Sequence, residues 1–291
     1  MTAPTTSPRA DDGVLYVVGM GPGLPRSMTQ AARSVIERAD CVIASNLYQS
    51  LLRTDSVLPE KARTREVAED VTVAERSDGT EQTIIRSSMG RQIELTEMAF
   101  DRVRDGEIVA HVSGGDPNVY GKSDLVFQLA AENDVTDVPI EVVPGVTAAL
   151  ACGGRLGAPL SNDFCTISLS EKWRPWEQIE EKLRAATTSG FVIVLYNCWR
   201  NYARAIEVIR EHRADAVPVG IVVDAGREDA GRQPEGESQT ITTLGGAPAY
   251  DDAVGGMGTS IVVGTSDSRR WENDFRTHLL TRRGGRDVTE F

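Results

Sequence analysis

The sequence predicts an α/β protein with two domains whose sheets are parallel or mixed. Short apolar runs of strand length alternate with segments in which apolar residues recur at helical spacing. Several of these runs end in glycine-rich turns, which is typical of strands that lead into helices. With 291 residues, the chain also exceeds a typical single core. We expect a flexible tail over residues 1–12, an N-terminal α/β domain over 13–143 and a C-terminal α/β domain over 144–291.

The first domain shows a β-α-β rhythm. We predict strands over residues 15–18, 41–44, 108–112 and 140–143, and helices over 29–39, 90–104 and 123–132. The polar stretch 53–82 has no clear periodicity, so we expect a variable, partly loop-like segment there.

The second domain repeats the alternation with different elements. We predict strands over residues 166–169, 191–196, 219–223, 240–244 and 260–263, and helices over 176–186 and 202–212. The glycine-rich stretch 245–258 interrupts any helix, and 260–263 is the last strand that we predict.

Charge and hydropathy argue against two classes of partner. A net charge of −12 repels nucleic acid. No window approaches the roughly 18 to 20 consecutive apolar residues of a membrane helix, so we expect no membrane association. Residues 1–12 lack the apolar core of an export signal, and we therefore expect a cytoplasmic protein.

Metal binding by the chain is not expected. The cysteines form no C-x-x-C pair and each lies in or beside an apolar run, which favours buried reduced thiols; they are Cys41, Cys152, Cys165 and Cys198. The three histidines are scattered along the chain. Lysine is rare among the 31 basic residues, and this acidic, lysine-poor composition resembles that of halophilic proteins from a high-salt cytoplasm.

Four glycine-containing segments follow predicted strands, where open α/β sheets bind their ligands. They cover residues 19–23, 113–121, 142–149 and 224–228. The first segment reads G-x-G-x-G rather than G-x-G-x-x-G, and no acidic residue ends the second strand, so a Rossmann-type dinucleotide turn is disfavoured. In the second, Asp116 is placed either to cap the next helix or to accept hydrogen bonds from a ligand.

Together the segments resemble the tetrapyrrole (corrin and porphyrin) methylase family. The chain shows, in order, G-M-G-P-G from Gly19, G-D-P-N-V-Y-G from Gly115, V-V-P-G-V-T-A from Val142, L-Y-N from Leu195 and A-G-R-E from Ala225. The motifs span nearly the whole length. Within the family, the chain is most similar to the C17-methyltransferases of precorrin-3B or cobalt-factor III. Leu24, Asn118 and Lys122 depart from the family pattern, which puts details of substrate binding in doubt.

The resemblance implies an enzyme of cobalamin biosynthesis that methylates C17 of its corrin precursor with ring contraction. The methyl donor would be S-adenosylmethionine, which becomes S-adenosylhomocysteine. The family binds it in a cleft between the domains, mostly through backbone groups. Carried over to this sequence, that role falls on Pro22, Gly114, Gly115, Asp116, Val119, Thr147, Ala148, Tyr196, Asn197 and Gly226.

The resemblance also implies a proton transfer and a polyanionic substrate. Asp116, Ser113 and Thr147 are the candidates for moving the proton. Arginine pairs bidentately with carboxylates, so the cations in or beside the motifs are candidates for binding the tetrapyrrole; they are Arg26, Arg86, Arg91, Lys122, Arg155 and Arg227. The family further suggests a homodimer.

Two alternatives remain open. One is another methylase of the same fold, acting at a different corrin carbon or on uroporphyrinogen III, a diphthamide precursor or ribosomal RNA. The other is a non-catalytic homologue, which the Leu24 and Asn118 departures favour. Substrate assays separate the first alternative, and failure to bind S-adenosylmethionine would favour the second.

Overall fold

The computed structural model describes residues 13–230, 236–254 and 256–284. These residues form two compact units that divide between Thr147 and Ala148. The tail predicted over residues 1–12 lies outside the described residues.

The described part of unit 1, from residue 13 onward, contains seven strands and four α-helices. The strands are β1 (Val14–Gly19), β2 (Cys41–Ala44), β3 (Thr64–Ala68), β4 (Val71–Glu75), β5 (Glu81–Arg86), β6 (Ile108–Ser113) and β7 (Ile140–Val143). The helices are α1 (Gln30–Arg38), α2 (Asn46–Thr54), α3 (Gln92–Arg104) and α4 (Ser123–Glu132).

The seven strands form one mixed sheet in the order β3-β4-β5-β2-β6-β1-β7. The pairs from β5 to β7 are parallel, whereas β3, β4 and β5 pair antiparallel. β1 lies between β6 and β7 and is almost wholly buried, which explains its continuous apolar sequence. The parallel strands therefore bring their carboxyl ends to one edge of the sheet.

Local sequence fixes where two of the helices begin. The Thr29 hydroxyl accepts a hydrogen bond from the Ala32 N–H at 3.2 Å and caps α1, and Ser45 caps α2 in the same way. In α3, Leu95, Ala99 and Phe100 recur at helical spacing and pack into the core over the sheet. Helix α2 follows its cap directly and was not predicted.

The stretch 53–82, which we predicted to be variable and partly loop-like, has loops and turns over residues 55–63 and 76–80 but also strands that the sequence did not predict. This stretch contains β3, β4 and the start of β5. β3 is an edge strand with four of its five residues exposed, so it carries no apolar alternation that sequence periodicity could detect. Antiparallel pairing with β4 is what makes it a strand.

Unit 2 contains eight strands and three helices among its described residues. The strands are β8 (Gly157–Ala158), β9 (Phe164–Ser168), β10 (Val192–Tyr196), β11 (Pro218–Val223), β12 (Ser238–Thr243), β13 (Thr259–Val263), β14 (Ser268–Glu272) and β15 (Thr277–Thr281). The helices are α5 (Ala148–Leu156), α6 (Trp176–Thr188) and α7 (Tyr202–Arg210).

Five of these strands form a mixed sheet in the order β12-β11-β13-β10-β9. Only β9 and β10 pair in parallel. Helices α6 and α7 cover one face with a core that includes Ile179, Leu183 and Ile206, and α5 lies over the other face through Ala149 and Cys152. The two sides of the sheet are thus both buried.

The prediction that 260–263 is the last strand was wrong. β14 and β15 follow it and form a small sheet with β8. β14 reads S-R-R-W-E and is mostly exposed, so its sequence shows no buried face. In the stretch 245–258, short 3-10 turns at Ala247–Tyr250 and Asp252–Val254 replace any longer helix.

None of the described helices has both the length and the apolar content that crossing a bilayer requires.

Candidate active site

Two loops join at the carboxyl edge of the sheet in unit 1. They follow the adjacent parallel strands β1 and β6. The Gly21 N–H donates to the Gly115 carbonyl at 3.1 Å, and the Gly115 N–H donates back to the Gly21 carbonyl at 2.8 Å. The Met20 N–H also donates to the Ser113 carbonyl at 3.0 Å. Main-chain bonds therefore bring the predicted segments 19–23 and 113–121 together.

Asp116 attaches the loop after β7 to this pair. Its Oδ2 accepts a hydrogen bond from the Gly145 N–H at 3.0 Å, and its Oδ1 accepts one from the Asn118 N–H at 2.8 Å. The carboxylate thus holds two loops by their main chains, which favours a positioning role over a free acid-base role. From its position in the sequence, Asp116 was expected to cap a helix or contact a ligand; its link to Gly145 was not predicted.

The three loops approach so closely that side chains would clash. A Cβ on Gly145 would collide with the Gly115 carbonyl oxygen, and one on Gly19 would lie 2.7 Å from the Gly145 nitrogen. A Cβ on Gly114 would collide with the hydroxyl of Tyr48, a residue of the unpredicted helix α2. Gly19 and Gly145 are required because their neighbours are main-chain atoms, whereas at Gly114 the Tyr48 side chain could move aside.

The other predicted residues of unit 1 lie on the same loops. Pro22 follows the Gly21 bridge, Val119 and Thr147 are half-buried, and Ser113 is buried at the end of β6. The Val119 N–H donates to the Asp116 carbonyl at 3.2 Å. Unit 1 therefore brings Ser113, Gly114, Gly115, Asp116, Val119, Thr147 and Pro22 to one edge of its sheet.

Unit 2 holds the remaining predicted cofactor residues. The Ala149 N–H donates to Tyr196 Oη at 2.7 Å, so the end of β10 supports the first turn of α5, where Ala148 lies. Asn197 has a left-handed backbone with φ 55° and donates from Nδ2 to Ser168 Oγ at 2.9 Å. Sequence reasoning named Tyr196 and Asn197 but did not foresee these contacts.

Gly226 lies in a turn after β11 that is fixed by a buried ion pair. Arg227 pairs with Asp224 at 2.6 Å, and the two side chains are 12% and 0% exposed. Gly226 itself has φ 76°, which favours glycine. If Arg227 left this pair, the buried Asp224 carboxylate would be left without a compensating charge. This disfavours a role for Arg227 in binding the substrate.

Three predicted substrate cations form ion pairs with carboxylates that are mostly buried. Arg86 and Arg91 both pair with Asp70, at 2.5 Å and 2.9 Å, and Arg91 also pairs with Glu94. Arg155 pairs with Glu237. Asp70 and Glu237 are each 14% exposed, whereas the three arginines are 34–47% exposed. The guanidinium groups therefore face solvent on one side while they neutralise a partly buried carboxylate on the other. Arg26 is exposed in the turn after β1.

Lys122 lies against a buried histidine that sequence reasoning passed over. Burial lowers the pKa of Lys122 to about 7, and its Nζ lies 3.5 Å from Ser87 Oγ. His111 on β6 is fully buried, and neither ring nitrogen has a hydrogen-bond partner among the described residues. Burial and the Lys122 charge lower the pKa of His111 well below 6.5. The position of His111 inside a strand gave no sequence signal for this environment.

A concavity of about 330 Å³ lies beside the turn between β6 and α4. It is lined by Pro117, Asn118, Tyr120, Gly121, Ser123, Asp124 and Phe127. None of the predicted site residues lines it, and we therefore do not assign it to the cofactor.

The cysteines are free thiols. Burial raises the pKa of Cys41 and Cys152 to about 12, which keeps both protonated. Across the described ranges, no group of three or more histidine, cysteine, aspartate or glutamate side chains is placed to hold a metal ion.

Comparison with known proteins identifies the family. Residues 14–234 match the model of the tetrapyrrole (corrin/porphyrin) methylases. The match includes all three loops of unit 1 and the ends of β10 and β11 in unit 2. The chain belongs to the tetrapyrrole methylase family.

Named relatives are similar over most of the chain. A probable cobalt-factor III C(17)-methyltransferase of Salmonella typhimurium (strain LT2) is 34% identical over 237 residues, which cover 80% of this chain and 86% of the relative. A precorrin-3B C(17)-methyltransferase of Sinorhizobium sp is 33% identical over 276 residues, which cover 92% and 95%. Two other matched relatives are longer, and the chain spans about half of each, 50% and 43%.

The fold is also that of a solved methyltransferase. The crystal structure of the methyltransferase CobJ aligns with a TM-score of 0.74 and covers 93% of this chain and 100% of that chain. Sequence identity over the alignment is 23%, so this likeness speaks for the fold alone. It confirms the mixed α/β fold class.

Proposed function

We propose that the chain is an S-adenosylmethionine-dependent methyltransferase of cobalamin biosynthesis, which methylates C17 of precorrin-3B or cobalt-factor III with ring contraction. One observation carries the proposal: the Sinorhizobium precorrin-3B C(17)-methyltransferase aligns with 92% of this chain and 95% of its own length. The family model and the similar Salmonella relative support it.

Small residues at the carboxyl edge support the proposed cofactor. Five of the predicted cofactor residues are half-buried and have small or medium-sized side chains, so a ligand can approach their main chain; they are Gly114, Gly115, Val119, Thr147 and Ala148. The N–H groups of Gly115 and Val119 already donate within unit 1, so these two residues would offer a nucleoside their surface and carbonyl groups rather than N–H donors. We assign the same role to Pro22 and Asp116 in unit 1, and to Tyr196, Asn197 and Gly226 in unit 2. When bound, S-adenosylmethionine supplies a methyl group on an activated sulfonium.

The chain's own contribution is mainly positioning and exclusion of water. Methyl transfer from a sulfonium does not require an acid-base pair at the reacting carbon. Asp116 links the loops after β6 and β7 by accepting a hydrogen bond from the Gly145 N–H, and it stabilises its own loop by accepting one from the Asn118 N–H. We propose Ser113 and Thr147 for the proton movement that ring contraction needs, with Asp116 positioning them.

The predicted cations would bind the carboxylates of the tetrapyrrole. Arg86, Arg91 and Arg155 are supported by the partial exposure of their guanidinium groups, although each already pairs with a mostly buried carboxylate. Lys122 is a cation only below its lowered pKa of about 7, so its contribution would decline in alkaline solution. Arg26 is a further candidate, and Arg227 is the weakest because its buried partner already neutralises it.

The test is a methyl-transfer assay with each precursor. Purified chain is incubated with isotopically labelled S-adenosylmethionine and with cobalt-factor III, precorrin-3B or uroporphyrinogen III, and products are read by mass spectrometry. We expect one labelled methyl group on cobalt-factor III or precorrin-3B and none on uroporphyrinogen III. Methylation of uroporphyrinogen III alone would show instead that the chain is a methylase of the same fold that acts on uroporphyrinogen III.

Calorimetry with S-adenosylhomocysteine distinguishes a homologue that has lost cofactor binding from a methyltransferase that acts on a different substrate. We expect saturable binding of the nucleoside. Binding without methylation of either corrin precursor would reject the C17 assignment, and absence of binding would reject the enzyme as a whole.

Two wider features belong to the same proposal. The family resemblance supports a homodimer, which light scattering on a sizing column tests directly. The excess of carboxylates and scarcity of lysine support adaptation to high salt.

A further inference from the structure

Unit 2 exposes two tryptophans at the ends of neighbouring strands. Trp173 is 84% exposed in the loop after β9, and Trp199 is 40% exposed in the turn after β10. β9 and β10 are parallel neighbours, so both loops leave the same edge of the sheet. Tryptophan is highly buried on average and contributes most when it covers apolar surface. Two exposed indoles at one sheet edge therefore suggest a ligand.

Hydrogen bonds tie the two loops together. The Leu169 N–H donates to the Tyr196 carbonyl at 2.8 Å. Asn201 Nδ2 donates to the Leu169 carbonyl at 2.9 Å and to Glu171 Oε2 at 3.1 Å. Each tryptophan lies two residues from one of these contacts. The indoles are consequently carried by one connected piece of backbone rather than by independent loops.

Cations accompany both rings. Lys172 Nζ lies 4.7 Å from the ring centroid of Trp173, and Arg200 Cζ lies 4.1 Å from that of Trp199. Residues 168–175 and 196–203 carry three cations, which are Lys172, Arg174 and Arg200, against the single carboxylate of Glu171. Arg204 lies over Trp176 and is balanced by Glu180. This local excess stands out in a chain whose net charge is −12.

We propose that Trp173 and Trp199 stack against the conjugated macrocycle of the tetrapyrrole, while Lys172, Arg174 and Arg200 pair with its peripheral carboxylates. The proposal rests on the proposed function for the class of substrate and adds residues that motif matching did not name. Indoles offer flat faces to a π-system, and guanidinium groups match carboxylates in geometry. The cations also offset the repulsion between an acidic protein and a polyanion.

Charge argues for this occupant over a second copy of the chain. A two-fold contact places the same surface patch on both partners. Two such patches would oppose cation to cation, whereas a polycarboxylate complements them.

The test uses uroporphyrin III, a stable carboxylate-rich porphyrin that binding does not consume. Calorimetry measures its Kd for the wild-type chain and for Trp173→Ala and Trp199→Ala. We expect each substitution to weaken binding by about 3- to 10-fold, as expected for loss of one stacked aromatic pair. Trp173→Phe and Trp199→Phe retain a ring and should recover most of the affinity. Affinity for S-adenosylhomocysteine should stay unchanged.

Trp271→Ala is the matched control. Trp271 is 52% exposed on β14, where it stacks on His278 with centroids 5.1 Å apart. We expect its porphyrin Kd to equal that of the wild type. Lys172→Ala combined with Arg200→Ala should weaken binding at low salt and flatten its salt dependence, since two ion pairs are lost.

Wild-type affinity in both tryptophan-to-alanine variants would overturn the proposal. So would absence of porphyrin binding by the wild-type chain, or an altered oligomeric state in the variants with unchanged porphyrin affinity. In turnover assays we expect a raised KM for the corrin precursor with a nearly constant kcat. If the wild type binds porphyrin through these residues but methylates no precursor, the proposed function fails and the binding surface stands.

Discussion

At the scale of single residues, His111 gives the protein a pH dependence that composition does not reveal. Its imidazole is fully buried on β6, and its pKa is lowered well below the ordinary 6.5 by burial and by the charge of Lys122. Below pH 6.5 the unfolded chain protonates this histidine and the folded chain does not. The unfolded state then binds more protons, so stability falls as the solution is acidified.

Lys122 acts over a separate pH window. Its pKa is lowered from 10.5 to about 7 in the folded chain, because burial disfavours the ammonium. Between pH 7 and 10.5 the unfolded chain holds the proton that the folded chain has lost. This group alone therefore makes stability rise with pH across that window.

His111→Leu should stabilise the protein. The substitution removes two buried nitrogens that have no hydrogen-bond partner among the described residues, and each such group costs about 1–3 kcal/mol. Urea unfolding at pH 5 and pH 7.5 should show a gain at both, larger at pH 5. His212→Leu, at an exposed position, is the control and should show neither change. A loss of stability at both pH values would contradict this account of His111.

Asp116→Asn should weaken cofactor binding. Both carboxylate oxygens accept main-chain N–H groups, whereas an amide has one oxygen and would turn a donor toward one of these donors. We expect a loss of about 1–3 kcal/mol in the free energy of unfolding and a weaker Kd for S-adenosylhomocysteine. Asp274→Asn, on the exposed turn between β14 and β15, is the matched control. Unchanged affinity in Asp116→Asn would show that the two tethered loops do not position the nucleoside.

At the scale of elements, the close approach of the loops after β1, β6 and β7 depends on glycine. Gly145→Ala places a Cβ against the Gly115 carbonyl and near the main chain of Gly19. Because backbone cannot move aside as a flexible side chain does, we expect a destabilisation of about 2 kcal/mol or more, in the range of overpacking. Gly90→Ala, where a Cβ meets nothing within 4 Å, is the control for a glycine in the same unit. Thermal unfolding followed by circular dichroism distinguishes the two, and equal melting temperatures would refute the clash.

The sequence predicted those strands and helices in which burial produces a regular pattern of apolar residues. Strands such as β1 and β11 are buried along nearly their whole length, and helices such as α3 carry apolar residues at regular spacing. The edge strands β3 and β14 escaped because their side chains are mostly exposed. Their assignment depends on hydrogen bonds to a partner strand, which a single segment of sequence does not encode.

At the scale of the whole molecule, the acidic composition predicts a response to salt. A net charge of −12 produces self-repulsion that is screened within about 10 Å at 0.1 M salt and about 3 Å at 1 M. We expect the melting temperature to rise between 0.1 and 1 M KCl, by roughly 2–4 °C for each kcal/mol of repulsion removed. Near the isoelectric point of about 4.8 the rise should disappear. A fall in melting temperature with salt at pH 7.5 would show that screening of the surface ion pairs outweighs the net repulsion.

The sequence by itself determined the class of fold, the family motifs and the loops that carry them, because each depends on local pattern or on short contiguous strings of residues. Tertiary structure decided what those residues do. It made Asp116 a link between two loops, buried Arg227 against Asp224, and placed Trp173 and Trp199 on connected loops of one sheet edge. These outcomes depend on which strands become neighbours, and strand order is fixed by packing of distant segments rather than by the sequence around each residue.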